Sequence, residues 1–161
     1  MTLLQAPNQL VAGIGEMVVS SSSDARLLAY GLGSCVALAV WDPQRRAGGL
    51  AHFMLPAGSP ESDTPVKFID PGLDTFIRAM EQKGIAPGRS VIKAAGAAAM
   101  LTVGGGLNVG KRNAEAIQTA LAARGLKIKA MALGGNVGRT VQLDVADGRF
   151  LVKSLSSITE L

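Results

Sequence analysis

The sequence predicts an α+β fold built in layers, with more strand than helix. Segments of strand character outnumber those with helical periodicity, and the two kinds do not alternate regularly along the chain. A doubly wound parallel sheet requires that alternation, so mixed sheets with packed helices fit better. The 161 residues, 48% hydrophobic and 17% charged, suit one domain with a substantial core over residues 1–161.

Residues 15–20 form a short apolar strand, followed by a polar break at residues 20–23 that reads as a turn. Residues 34–41 (SCVALAVW) are almost wholly apolar, which predicts a strand covered on both faces. A turn at Asp42-Pro43-Gln44-Arg45 leads into a second strand at 48–55 (GGLAHFML), and residues 57–65 read as an exposed loop. Asp70-Pro71 supplies an N-cap and a first-turn proline. Leu73, Phe76, Ile77 and Met80 then recur at helical spacing, and Gly84 stops the helix. Residues 91–96 form another strand. A second helix starts near 108–110, carries Ala114, Ile117, Leu121 and Ala122 on one face, and ends at Gly125. Strands at 126–133, 139–145 and 150–155 complete the chain, the last two joined by the hairpin signal Asp147-Gly148.

Composition excludes several function classes. The net charge is +4, but the longest cationic runs are the pairs Arg45-Arg46 and Lys111-Arg112, and aromatics are 4%. Nucleic-acid binding needs a denser basic stripe and, for single strands, stacking platforms. A single cysteine permits no internal disulfide and fits a reducing compartment. The start of the chain lacks the charged-then-apolar order of a signal peptide, and the longest uncharged stretch, 94–110, is broken by Gly96, Gly104, Gly105, Gly106 and Asn108. A cytoplasmic protein without membrane insertion is the expectation. Residues 105–111 (GGLNVGK) fit most of a phosphate-binding Walker A loop, but Arg112 stands where the magnesium-binding Ser or Thr is required. A glycine-rich helix start explains the same residues. One Cys and one His do not make a closed metal site, and no cofactor is expected.

The chemistry-bearing candidates are Cys35 and His52. A lone cysteine in an apolar strand is commonly an inert core residue, and a lone strand histidine is commonly a satisfied half-buried one. Against this, Gly31-Leu32-Gly33-Ser34-Cys35 places two glycines just before the thiol. Glycines allow unusual backbone angles and close substrate approach, and the amides around Gly33 and Ser34 could serve a developing oxyanion. If the turn spans residues 42–45, Trp41 pairs with Arg46, and counting outward sets Cys35 opposite His52 on the same face, with Cβ atoms about 4.5–5.5 Å apart. A neutral imidazole there would take the thiol proton, and the resulting ion pair would lower the thiol pKa. Residue chemistry thus reaches a cysteine hydrolase or transferase. A redox-sensing thiol and an inert core cysteine stand as the alternatives.

Six ordered motifs resemble the CheD family of chemoreceptor glutamine deamidases: Gly13-Ile14-Gly15-Glu16, Gly31 to Ala37, Ala51-His52-Phe53-Met54-Leu55-Pro56, Lys67-Phe68-Ile69-Asp70, Asn108 to Asn113, and Leu133-Gly134-Gly135-Asn136 with Gly138-Arg139. The resemblance implies an α/β sandwich of mixed sheets with flanking helices. It implies hydrolysis of receptor glutamine side chains to glutamate with release of ammonia, Cys35 as nucleophile and His52 as base, without metal or cofactor. In some members it extends to receptor methyl esters. The implied partners are the cytoplasmic helices of methyl-accepting chemotaxis receptors and, for several members, the phosphatase CheC. The family usually has a threonine six residues before the cysteine to orient the imidazole, and Ala29 stands there. Ser20 to Ser23, or a backbone carbonyl, would have to orient His52 instead. A chemotaxis adaptor that binds receptors or a CheC-type protein with a weakened site is the competing reading. Ala97 stands where the family often has a second glycine after Gly96.

Overall fold

A computed structural model describes residues 8–59, 61–100 and 108–161. Gly104 to Gly106, the start of the Walker-like segment and one position of the 57–65 loop lie outside the described residues. The strands are β1 Asn8–Val11, β2 Met17–Ser20, β3 Ala25–Leu32, β4 Val36–Asp42, β5 Ala47–Phe53, β6 Leu55–Ala57, β7 Val91–Gly96, β8 Ala130–Leu133, β9 Arg139–Asp144, β10 Phe150–Lys153 and β11 Ile158–Glu160, and the helices are α1 Ile69–Gln82 and α2 Val109–Ala123. Ten of the strands form two five-stranded sheets, ordered β1-β3-β9-β10-β11 and β2-β5-β4-β7-β8, and β6 stands outside both. Each sheet is mixed: β1 runs parallel to β3 and β7 parallel to β8, while the other neighbours are antiparallel. The α+β class expected from the sequence is the one observed.

Two apolar layers hold the elements together. One lies between the second sheet and the helices, where Val36, Leu38, Val40 and Phe53 meet Leu73, Phe76, Met80, Ile117 and Leu121. The other lies between the sheets, where Ala37, Ala39 and Leu50 meet Leu27, Ala29, Leu32, Val141, Leu143 and Phe150. Strand β4 therefore alternates large side chains toward the helices with alanines toward the facing sheet, and both faces are covered, as its unbroken apolar run predicts. All of β5 is buried. A Cβ on Gly49 would lie 2.9 Å from the Phe76 ring, so the glycine makes the seat for that ring.

Helix boundaries follow the sequence signals. Asp70 is extended (φ −109°, ψ 113°), so regular helix begins at Pro71. Gly84 takes φ +78° and Ile85 N–H donates to Met80 O at 3.0 Å, closing α1. In α2 the Asn108 side chain accepts from Lys111 N–H at 3.2 Å, and Gly125 (φ +68°) ends the helix. At the Asp147-Gly148 hairpin, Gly148 (φ +78°) donates its N–H to Asp144 O at 2.8 Å.

Several elements escape the sequence reading. Strands β1, β3, β6 and β11 were not expected, and the strand at 126–133 shortens to β8. The consequential omission is β3. Its period-two pattern breaks where the pairing with β9 shifts register between Ala29 and Leu32, with Gly31 at φ +65° inside the irregularity.

Candidate functional site

The connection between β4 and β5 sets which residues face one another. Asp42 pairs with Ala47, Trp41 with Gly48 and Ala37 with His52. The expected register was two residues off, because the four-residue turn spans 43–46 instead of 42–45 and Asp42 belongs to the ladder. The buried Asp42 carboxylate closes it, accepting from the amides of Gln44 (3.0 Å) and Arg45 (3.3 Å) and from Arg89 Nη2 (2.7 Å). Arg46 joins the turn with φ +48°. Cys35 is therefore not directly opposite His52. Side chains alternate with period two, however, so an even slip keeps both on the face toward the other sheet. Diagonal neighbours in a regular ladder stand about 7–8 Å apart between Cα atoms.

His52 is buried and wrapped by the loop between β1 and β2. Its N–H donates to Glu16 O at 3.0 Å, and its carbonyl accepts from Gly15 N–H at 2.9 Å. Its ring Nδ1 lies 3.0 Å from Ala12 O. A carbonyl can only accept, so Nδ1 carries the proton and the neutral ring keeps its lone pair on Nε2. Nε2 is buried and has no hydrogen-bond partner among the described residues. Burial lowers the imidazole pKa below its ordinary value, against the opposing pull of the Ala12 carbonyl and the Glu16 charge. Ala29 is fully buried between the sheets in the same cluster as Cys35, with Tyr30 exposed on the opposite face. Of the groups considered to orient the ring in place of a hydroxyl at Ala29, the structure supplies a backbone carbonyl. Ser20 pairs with Gly48, at the far end of β2. Nothing in residue identity could have singled out Ala12, because its contribution is main chain.

Cys35 is 7% exposed. Burial pushes its thiol pKa up, only partly offset by its own amide. This corrects the expectation of a thiol lowered by an ion pair: both groups are buried, no hydrogen bond joins Sγ to Nε2, and burial favours the neutral form of each. The backbone around the thiol is tightly specified. Gly33 O accepts from Ala98 N–H (2.9 Å), Cys35 O from Ala97 N–H (2.7 Å) and Ser34 O from Asn113 Nδ2 (2.8 Å). Asn113 Nδ2 also donates to Met54 O at 2.9 Å. Among the described residues, no other residue accepts from the amides of Gly33, Ser34 or Cys35, the Cys35 N–H facing its own thiol.

The other motifs converge here. Gly134 N–H and Arg139 Nη1 both donate to Gly96 O, each at 2.9 Å, and Ala99 N–H donates to Gly135 O at 2.8 Å. Ala97 takes φ +56°, the conformation for which a glycine would be the relaxed choice, so its methyl group is carried at a strain of about 1 kcal/mol. A Cβ on Gly110 would fall 2.1 Å from Ala98 O. That glycine serves the close approach of α2 to the segment after β7, which explains part of the Walker-like pattern without a phosphate. Among the described residues no cluster of His, Cys, Asp and Glu could hold a metal ion, and no helix is long and apolar enough to cross a membrane.

Of the groups with lowered pKa, the two buried ones, His52 and Asp42, make stability fall on acidification. His52 is neutral when folded and protonates more readily when unfolded, so its contribution is present above the ordinary histidine value of about 6.5 and is lost as pH falls below it. For Asp42, burial alone would raise the pKa, but hydrogen bonds from Arg89 and three amides reverse it. Its contribution disappears only below about 3.9. Urea unfolding at successive pH values should show both stages, and His52→Gln should remove the upper one alone. An unchanged upper stage in the variant would refute the assignment.

The family model for CheD chemotactic sensory transduction matches residues 54–154. A protein of Symbiobacterium thermophilum named a probable chemoreceptor glutamine deamidase CheD is 40% identical over 149 residues, covering 89% of this chain and 90% of its own. A protein of the same name from Archaeoglobus fulgidus is 42% identical over 149 residues, 91% of this chain and 93% of its own. The chemoreceptor glutamine deamidase CheD of Thermotoga maritima is 35% identical over 151 residues, 94% of this chain and 95% of its own.

Proposed function

This chain belongs to the CheD family, and from that premise we propose that it hydrolyses glutamine side-chain amides of methyl-accepting chemotaxis receptors, with Cys35 as nucleophile and His52 as general base. The observation that carries the reading is the unbonded Nε2 of the only histidine, on the same sheet face as the only cysteine, with Nδ1 held by Ala12 O. A buried ring nitrogen without a partner is costly unless it has work to do.

His52 Nε2 takes the thiol proton as Sγ attacks the amide carbon, forming the C–S bond and placing negative charge on the amide oxygen. The amides of Ser34 and Cys35, next to Gly33, which no other described residue engages, are the donors for that oxyanion. The imidazolium returns its proton to nitrogen, the C–N bond breaks and ammonia leaves. His52 then deprotonates a water that opens the thioester, giving glutamate and the free thiol. A glutamate methyl ester would enter the same cycle with methanol leaving, and a CheC-type phosphatase is the proposed second partner.

The test incubates the full chain with receptor cytoplasmic fragments and follows, by mass spectrometry, the small mass gain of an amide becoming an acid. A gain at specific glutamines that requires Cys35 supports the reading. Fragments left unchanged, or changed equally by wild type and Cys35→Ala, would leave a receptor- or CheC-binding adaptor. Because burial raises the thiol pKa, iodoacetamide should label Cys35 more slowly than free cysteine at neutral pH, with the rate climbing as pH rises. Labelling faster than free cysteine would contradict a thiol raised by burial.

A further inference from the structure

We propose that Asn113 is a positioning residue that aims the Cys35 amide at the oxyanion of the substrate, an inference that rests on the catalytic reading above. The C=O of Ser34 and the N–H of Cys35 belong to one peptide plane and point in opposite directions. Whatever fixes that carbonyl fixes the amide as well. The carbonyl is held by Asn113 Nδ2 at 2.8 Å, so the Cys35 N–H is turned away from α2. The neighbouring plane obeys the same rule: Gly33 O is held by Ala98 N–H at 2.9 Å, which sets the Ser34 N–H. Two successive amides are thus oriented through the carbonyls of their peptide planes, while no other described residue accepts from either.

Asn113 is suited to this by its place in the fold. It is fully buried, one turn into α2, on a helix that Gly110 allows to approach Ala98. Its Nδ2 also holds Met54 O at 2.9 Å, just past the end of β5, so one amide group ties the cysteine turn to the histidine strand. Both acceptors are carbonyls, which assigns the side-chain nitrogen to them. The Oδ1 atom is buried without a partner among the described residues. A side chain serving only to satisfy the helix or core would not leave its own acceptor empty while using its donors on the cysteine turn and the end of the histidine strand. Of the groups described as holding the carbonyls of Gly33, Ser34 and Cys35, Asn113 is the one side chain, and so the one that substitution can remove cleanly.

The test measures deamidation and Cys35 alkylation side by side in Asn113→Ala and in Asn113→Leu, which is close in size. Alkylation by iodoacetamide is a displacement at carbon that forms no oxyanion. Amide hydrolysis does form one. The expected result is a fall in kcat of about 10²-fold, within the range for a lost or misaligned oxyanion donor. KM and the alkylation rate should stay within a few-fold of wild type. Parallel loss of deamidation and alkylation, a change confined to KM, or failure of both variants to fold would overturn the proposal and make Asn113 a packing residue. Full deamidation in the variants would overturn it while leaving the catalytic reading intact. Absence of Cys35-dependent deamidation in wild type would instead remove the reading on which it rests.

Discussion

Cys35→Ala is expected to abolish receptor deamidation, a loss of about 10⁴-fold or more, as removal of an acyl-transfer nucleophile does elsewhere. The same substitution should shift thermal unfolding only slightly, since it takes one sulfur from a layer built mainly of alanines, leucines and valines. His52→Gln should lower kcat/KM by about 10²–10⁴-fold, the usual weight of a general base. The two losses should not add, because the thiol and the imidazole act on one proton. The pH profile separates base from scaffold. Wild type should show an acidic limb where His52 protonates, lying below the ordinary histidine value because burial lowers its pKa. In the glutamine variant that limb should vanish from whatever rate remains. A Cys35→Ala protein that still converts glutamine, or a His52→Gln protein with the wild-type profile, would end the proposed mechanism.

The sequence was most legible where chemistry demands a residue type. A thiol after a glycine-rich turn and a lone histidine on the next strand can be found by inspection. So could both helices, since caps, proline and glycine mark their ends. The register was less legible. Hydrophobic alternation constrains a strand to a parity, and the parity was right. The two-residue error came from Asp42, which pairs with Ala47 in the ladder instead of opening the turn, its carboxylate closing a turn of the same length one position later. Strand β3 was hidden for a related reason, since its bulge near Gly31 breaks the period that marks a strand. The groups that complete the site were hidden more deeply. Ala12 contributes a carbonyl, which every residue has. Asn113 sits inside a motif the sequence made conspicuous, but its two acceptors lie 79 and 59 positions away along the chain. Only the tertiary fold brings them together.

The largest loss of stability from a single methyl group is expected at Gly96. It closes β7, pairing with Val36 on one side and Leu133 on the other, inside the second sheet next to its edge strand β8. Its φ of +113° lies where L side chains rarely go, and a Cβ there would stand 2.2 Å from Cys35 O. That oxygen cannot retreat cheaply. It accepts from Ala97 N–H at 2.7 Å, and the strand that carries it is covered on both faces. Gly96→Ala must therefore break the hydrogen bond, pull β7 from β4, or both, and a loss of about 4 kcal/mol or more is expected, beyond the common range for point substitutions. Gly125→Ala provides the comparison. That glycine also has positive φ (+68°), but its Cβ would meet nothing within 4 Å, so it should cost only the backbone strain, about 1–2 kcal/mol. Urea unfolding of the two variants separates strain from collision. Equal losses would mean that the Gly96 contact relaxes freely, and the rigid seat assigned to the cysteine turn would then be lost. If the Gly96 variant does fold, its deamidation should fall further than that of Gly125→Ala, because the displaced carbonyl belongs to the nucleophile itself.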